Sequence, residues 1–189
     1  MTDFDVVIRG GHVVIESDLI EHDVGIKDGV VAELCDSIDG GKRILDASGK
    51  LVLPGGIDGH CHIAQLSSFG VETADDFMSG SISAACGGTT TIIPFAPQRK
   101  GEGLREAVEA YRQKAEGKSV IDYGFNLIVS DPTPTVLEDE LPSLVAEGHT
   151  AVKIFMTYDP VRLDDSQVLD VLEKARDLGV ITMVHAENH

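Results

Sequence analysis

The N-terminal part of the chain alternates short apolar runs with turn residues, a pattern typical of β-strands. The predicted strands are residues 5–9, 12–15, 24–27, 30–34, 44–47 and 51–53. Asp28-Gly29 lies between two of these runs and is a strong hairpin turn pair. Such a module has open edges and a thin core when it stands alone. We therefore expect residues 1–53 to form a small β module that needs strands from elsewhere.

From residue 54 onward the pattern changes to alternating strands and helices. Strands are predicted at 89–94, 123–129, 151–156 and 180–185, with helices between them. Thr73, three residues before Asp76, predicts the start of the first helix, and Asp164 with Gln167 predicts the start of the last. Alternation at intervals of roughly thirty residues implies right-handed βαβ units and a parallel sheet.

Two α/β architectures accommodate this order of elements. A doubly wound sheet is disfavoured because no phosphate-binding glycine fingerprint follows the first strand. Chemistry at successive strand ends favours a (β/α)₈ TIM barrel, with residues 54–189 as its first part. The extended run that begins at residue 51 and closes at residue 62 is its first strand, and the four later strands bring the number to five. A whole barrel needs roughly 250 residues. We therefore expect the chain to be part of a longer protein, unable by itself to fold stably or turn over substrate.

The first candidate for chemistry is Gly-Gly-Ile-Asp-Gly-His-Cys-His at 55–62, which follows the apolar run 51–53. In an extended chain His60 and His62 point to one side and Cys61 to the other. Two converging imidazoles at the end of a buried strand can begin a metal site. Taken alone, the motif fits equally well a pair of partly exposed loop histidines.

Two further candidates lie on later strands. Lys153 stands inside the apolar strand 151–156, where an unpaired ammonium is costly. It is either a neutral nucleophile, able to form a Schiff base or a carbamate, or a lysine that reaches solvent at a frayed strand end. His185 ends the next strand, and alone it indicates a hydrogen-bonded core or rim histidine. Together with His60 and His62, these residues raise the probability of a metal site.

Charge and composition exclude some classes of function. A net charge of −17 and a pI near 4.6 argue against binding to nucleic acid or an anionic membrane. The sequence contains no apolar run long enough to span a bilayer, and its N-terminus lacks the basic and apolar regions of a signal peptide, so we expect neither feature. Cys35, Cys61 and Cys86 are odd in number and widely scattered, which predicts reduced thiols in a cytoplasmic protein.

The motifs, taken in order, resemble those of the amidohydrolase superfamily. The segment 55–62 is similar to its metal-binding signature. The segments 73–77, 87–91, 152–158 and 183–188 resemble the dihydropyrimidinase/hydantoinase branch of cyclic amidases. The resemblance covers essentially the whole chain, and it implies a barrel with a small β-sandwich built from both chain ends.

The resemblance also implies a centre of two divalent metal ions, usually zinc. By residue-wise correspondence, His60 and His62 bind one metal, carboxylated Lys153 bridges both, and His185 binds the other. A further histidine and an aspartate come from later strands in the family, beyond residue 189. Dimers or tetramers are the expected assembly.

The implied reaction is the opening of a cyclic amide of the hydantoin or dihydropyrimidine type. A hydroxide bridging the two metals attacks the ring carbonyl. Tyr158 matches the family tyrosine that stabilises the oxyanion, and Asp58 is placed to orient the histidines rather than to bind metal. The alternatives are a non-catalytic assembly protein on the same fold, and an amidohydrolase acting on another cyclic amide such as allantoin.

The loop at 63–70 departs from the branch pattern. Hydantoinases and dihydropyrimidinases usually carry an acidic residue two positions after the second histidine, whereas this chain has Ala64. Dihydroorotases carry an arginine there, so that neighbouring activity is disfavoured. Phe69 is a candidate residue of a lid over the substrate, or a plain packing aromatic. We expect this loop to determine which ring substituent is accepted.

Overall fold

A computed structural model describes residues 3–67 and 70–189. The chain divides into two compact units, Met1–Pro54 and Gly55–His189. Phe69, the candidate lid residue, lies outside the described residues. No helix in the described parts of the chain is long and apolar enough to cross a membrane.

The first unit is a five-stranded sheet. Its strands are β1 (Val6–Ile15), β2 (Asp18–Lys27), β3 (Val30–Cys35), β4 (Arg43–Asp46) and β5 (Leu51–Val52). The order is β3-β2-β1-β4, with β5 also paired to β1. Phe4, Val7 and Ile38 form its small buried cluster, while Val30 and Val31 remain exposed on β3. The core is therefore thin, as the strand pattern predicts.

Two turn predictions in this unit had different outcomes. Asp28 and Gly29 connect β2 to β3 with φ values of 51° and 78°, so the predicted tight hairpin is confirmed. The break predicted between residues 9 and 12 is wrong, because β1 runs through Gly10 and Gly11 as one strand. The register against β2 shifts between Ile8 and Gly11, and Gly10 has φ of 72°. The glycine pair thus forms a bulge rather than a turn.

The second unit alternates strands and helices. Its strands are β6 (Gly56–Cys61), β7 (Thr89–Pro97), β8 (Asp122–Tyr123), β9 (Asn126–Ile128), β10 (Ala151–Phe155) and β11 (Ile181–His185). The helices are α1 (Phe77–Cys86), α2 (Leu104–Ala115), α3 (Leu141–Ala146) and α4 (Asp165–Leu178), with a π-helical turn at Val136–Glu140 before α3. This is the alternation that the sequence predicts.

All strand pairs of this unit are parallel, and the order is β11-β10-β9-β7-β6, with β8 beside β7. Each new long strand therefore adds to the same side of the sheet, without the reversal of order that defines a doubly wound fold. Residues of all four helices share one buried cluster with the strands, so the helices lie on one face of the sheet. The fold is thus an α/β fold with a sequentially ordered parallel sheet.

The helix ends show which sequence signals were correct. Asp164 caps α4, where its Oδ1 accepts the Gln167 N–H at 2.9 Å, as predicted. The predicted cap at Thr73 is wrong, because α1 begins later and Asp76 is its cap. The Thr73 hydroxyl instead accepts the backbone N–H of Gln65 at 3.0 Å. The Thr73 hydroxyl, which the sequence pattern assigned to the helix cap, thus makes a tertiary hydrogen bond instead.

The helix-facing side of the sheet carries the core of this unit. Val152 and Ile154 of β10 are fully buried and belong to the same cluster as Val171 of α4. Because side chains alternate along a strand, Lys153 and Phe155 lie on the opposite face, where both are half-buried. This second face is the one that carries the candidate chemistry.

Candidate metal centre

His60 and His62 lie side by side at the carboxyl end of β6. Their ring centroids are 5.7 Å apart, and both rings contact Phe95 of β7, at 4.6 Å and 5.1 Å. Cys61 points the other way and packs against the core, where burial raises the pKa of its thiol to about 11. The two-residue period therefore brings the imidazoles together as predicted, with a buried aromatic ring behind them.

The backbone around His60 is held by two polar side chains. The buried Asn126 amide donates to the carbonyls of Gly59 and Ile93, each at 3.0 Å. Asp58 Oδ1 accepts the backbone N–H of His60 at 3.1 Å. Asp58 thus contacts the main chain of the histidine motif, and its predicted influence on the imidazoles stays a prediction.

Lys153, His185 and Tyr158 gather around a second aromatic ring, that of Phe155. The Lys153 Nζ lies 5.3 Å from the Phe155 ring centroid, and the His185 ring stacks on Phe155 at 5.6 Å. The Tyr158 ring lies 5.2 Å from that of His185. Tyr158 has φ of 71°, a conformation unusual for a residue with a side chain, and it is 45% exposed.

Glu187 adds a carboxylate to this group. Its Oε2 lies 3.0 Å from His185 Nε2, which leaves Nδ1 of that ring free of this contact. A carboxylate on one ring nitrogen is a common partner of a metal-ligating histidine. The sequence offered a signal for Glu187, since it stands two residues after His185.

The structure forms two groups of candidate ligands, one around Phe95 and one around Phe155. Among residues 3–67 and 70–189, no set of three or more His, Cys, Asp or Glu side chains is close enough to hold a metal. The donors nevertheless suit a divalent cation, because imidazole and carboxylate oxygen are ligands of zinc. Lys153 would supply carboxylate oxygens only after carboxylation.

A cavity of about 640 Å³ lies beside the two groups, and none of the four candidate ligands is among its lining residues. Gln65, whose side chain contacts His62, lines it on one side. Phe155 and Tyr158 line it on the other. A small molecule in this cavity would therefore face residues next to both groups.

Some residues of this region were not anticipated from the sequence. Asn126 could have been noticed, because it is an amide inside an apolar strand. Phe95 and Phe155 had no distinguishing signal, since aromatic residues in strands are usually core. Gln65 had none either, because its contact with His62 depends on the fold of the loop between them.

Comparison with known proteins agrees with the motifs. The family model described as "Amidohydrolase family" matches residues 51–189. The D-hydantoinase of Rhizobium radiobacter is 45% identical over 185 residues, which cover 97% of this chain and 40% of that protein. The dihydropyrimidinase of Rattus norvegicus is 40% identical over 190 residues, which cover 97% of this chain and 36% of that protein.

A solved structure of a D-hydantoinase superposes with a TM-score of 0.92 at 43% sequence identity, covering 98% of this chain and 40% of that one. The chain thus spans about two fifths of the length of the relatives it matches. The family model covers well over half of the chain, including the histidine motif and the lysine strand. The chain therefore belongs to the amidohydrolase family, and within it resembles D-hydantoinases and dihydropyrimidinases.

Proposed function

We propose that the complete protein is a metal-dependent hydrolase that opens a cyclic amide ring of the hydantoin or dihydropyrimidine type. One observation carries the proposal. A chain similar to D-hydantoinases has His60, His62, Lys153 and His185 at or near the carboxyl ends of parallel strands. Active sites of barrel enzymes are built at that end of the strands.

His60 and His62 would hold one divalent cation through the two rings that already lie together over Phe95. His185 would hold a second cation, and Lys153 would bridge the two as a carbamate. Two bound cations would supply a hydroxide nucleophile at neutral pH and would polarise the ring carbonyl. The family supports a divalent metal, and zinc is our proposal for its identity.

The remaining roles belong to side chains around the second group. The Tyr158 hydroxyl would donate a hydrogen bond to the oxygen that becomes negatively charged when the ring carbonyl is attacked. Its exposed position beside the cavity supports this role. Glu187 would keep His185 oriented through the contact at Nε2.

We propose the same family architecture for the complete protein. The sequential parallel sheet supports a (β/α)₈ barrel that begins at residue 54, and the thin core of the first unit supports a β-sandwich that takes strands from elsewhere. The free thiols of Cys35, Cys61 and Cys86 support a cytoplasmic location. A homo-oligomer, dimer or tetramer, is proposed by family resemblance.

Turnover of hydantoin and dihydrouracil by the complete protein tests the proposal. We expect ring opening that a chelator abolishes and added zinc restores. Lys153→Ala should reduce both turnover and bound metal to background, because the bridging group is lost. Lys118→Ala, which changes an exposed lysine on another segment, should leave both unchanged. Activity that survives complete metal removal, or an unaffected Lys153→Ala variant, would contradict the proposal.

The loop at 63–70 favours one alternative within the same chemistry. Because this segment differs from the hydantoinase pattern, another cyclic amide such as allantoin is a second substrate to assay. A metal-loaded protein that opens allantoin alone would retain the reaction class and change the substrate. A metal-loaded protein inert toward all three rings would instead favour the non-catalytic assembly protein.

A further inference from the structure

The residues that directly follow His62 are held by side chains of α2. The buried Tyr111 hydroxyl donates a hydrogen bond to the carbonyl of Ile63. The Lys114 ammonium donates to the carbonyl of Ala64 at 2.8 Å. Two successive carbonyls of the loop thus accept hydrogen bonds from one helix. These hydrogen bonds restrict the movement of the loop.

Ala64 itself adopts an unusual backbone conformation. Its φ is 51°, in the left-handed region that residues with a Cβ rarely occupy. Such a conformation persists when the surroundings determine it. Here the Ala64 N–H donates to the carbonyl of Asp75 at 2.8 Å, while its own carbonyl accepts from Lys114. The bend at Ala64 is therefore stabilised by one hydrogen bond at the N–H and one at the carbonyl of this residue.

Gln65 comes next, and its backbone is held as firmly. Its N–H donates to the Thr73 hydroxyl at 3.0 Å, and its carbonyl accepts the Thr73 N–H at 2.9 Å. With its main chain fixed, the half-buried side chain extends back toward the histidine motif. The Gln65 Oε1 contacts Nδ1 of His62.

This contact determines which nitrogen of His62 is available to a ligand. The Gln65 amide oxygen faces Nδ1 and can only accept a hydrogen bond, so this arrangement assigns the ring proton to Nδ1. In a neutral imidazole the other nitrogen then has a free lone pair. Metal-ligating histidines commonly donate their second N–H to an oxygen in this way. Gln65 thus prepares Nε2 of His62 for a cation.

We propose that Gln65 is a positioning residue for His62: it fixes the tautomer and ring orientation in which Nε2 binds metal. The proposal rests on the proposed function only for the presence of the metal. Gln65 lies in the loop where this sequence departs from the hydantoinase pattern.

Zinc affinity of the complete protein, measured by competition with a chromophoric chelator, tests the role. Gln65→Leu removes the acceptor at similar size and should weaken zinc binding about 10- to 100-fold. Gln65→Glu keeps an oxygen acceptor and should retain the affinity of the wild type. Gln113→Leu is the matched control, because Gln113 is exposed on α2 and its amide donates to Glu109 of the same helix.

The tautomer of His62 gives a second readout that needs neither metal nor turnover. In the metal-free complete protein, ¹⁵N resonances of the His62 ring should report a proton on Nδ1. In Gln65→Leu the proton should redistribute toward Nε2, whereas Gln65→Glu should keep it on Nδ1. This measurement also stands if Gln65→Leu folds poorly, since the wild type and Gln65→Glu can be compared directly.

The outcomes separate the two proposals. Wild-type protein that binds no zinc contradicts the proposed function, while the ring resonances still decide whether Gln65 sets the tautomer. Wild-type protein that binds zinc, with Gln65→Leu binding it equally well, overturns the role of Gln65 and leaves the proposed function intact. A wild-type His62 with its proton on Nε2 also overturns it.

Discussion

Replacing Asn126 with alanine should loosen the strand that carries the histidine motif. Asn126 is 4% exposed, and its amide donates to the carbonyl of Gly59, directly before His60, and to that of Ile93. The alanine variant removes both hydrogen bonds without introducing a charge. The effect should therefore concentrate at the end of β6 and along β7.

The expected magnitude follows from the two lost contacts. A hydrogen bond contributes about 0.5–1.5 kcal/mol net, and a buried carbonyl left without a donor costs more. Two bonds at 3.0 Å thus amount to about 2 kcal/mol. Since about 1.4 kcal/mol corresponds to a tenfold change, local opening of β6 should become roughly 30-fold more populated.

Hydrogen–deuterium exchange with mass spectrometry can measure this in the complete protein. Peptides containing β6 should exchange faster in Asn126→Ala, while peptides from β1, in the other compact unit, should not change. Gln113→Ala removes an exposed amide and serves as the control variant. Equal exchange of β6 in variant and wild type would refute the reasoning. A uniform increase over both units would show a global effect and refute the local one.

Three further outcomes are expected. Leu144→Ala, at a fully buried position of α3, should lower the free energy of opening of that helix by about 2–5 kcal/mol, measured by the same exchange. Asp164→Ala should lower the free energy of opening of α4 by about 1 kcal/mol, because the acceptor for the Gln167 N–H is lost. Unchanged hydrogen exchange in the first turn of α4 would contradict this. Burial raises the pKa of Cys61 to about 11, so about one thiol in a thousand is ionised there at pH 8. Iodoacetamide should therefore label the exposed Cys86 first, and mass spectrometry of labelled peptides would reveal the reverse order.

Features that depend on local period were predictable from the sequence. The two-residue repeat placed His60 and His62 on one side of β6 and Cys61 on the other. The same repeat separated Lys153 from its buried neighbours on β10. Strand period is a property of the backbone itself, so neither conclusion needed knowledge of the partners in space.

Features decided by a distant partner were not predictable. Whether Gly10-Gly11 makes a turn or a bulge depends on how β2 pairs with β1. Thr73 carries a good capping side chain, but Gln65 uses it, and Asp76 caps α1 instead. In both cases the residues have the local propensity that the prediction used, but a tertiary contact stabilises a different conformation or hydrogen bond.

The same holds for the side chains around the candidate ligands. Asn126 reaches Gly59 across the sheet, and Gln65 reaches His62 only because Ala64 bends the chain. The Asn126 contact joins residues 67 positions apart. The Gln65 contact spans three positions but forms through the left-handed bend at Ala64, which the sequence does not indicate. The ligands themselves were recognisable by residue type and order, whereas the groups that orient them required the fold.

The hydrogen bonds from α2 to the loop after His62 have a consequence for protein engineering. Loops at the strand ends of this fold are natural targets for transplantation between homologues, because these loops carry the residues that determine substrate specificity. Tyr111 and Lys114 lie far along the chain from that loop, yet they anchor the carbonyls of Ile63 and Ala64. A graft of the loop alone would leave these anchors matched to the wrong backbone. The transferable unit is the loop together with its two positions on α2.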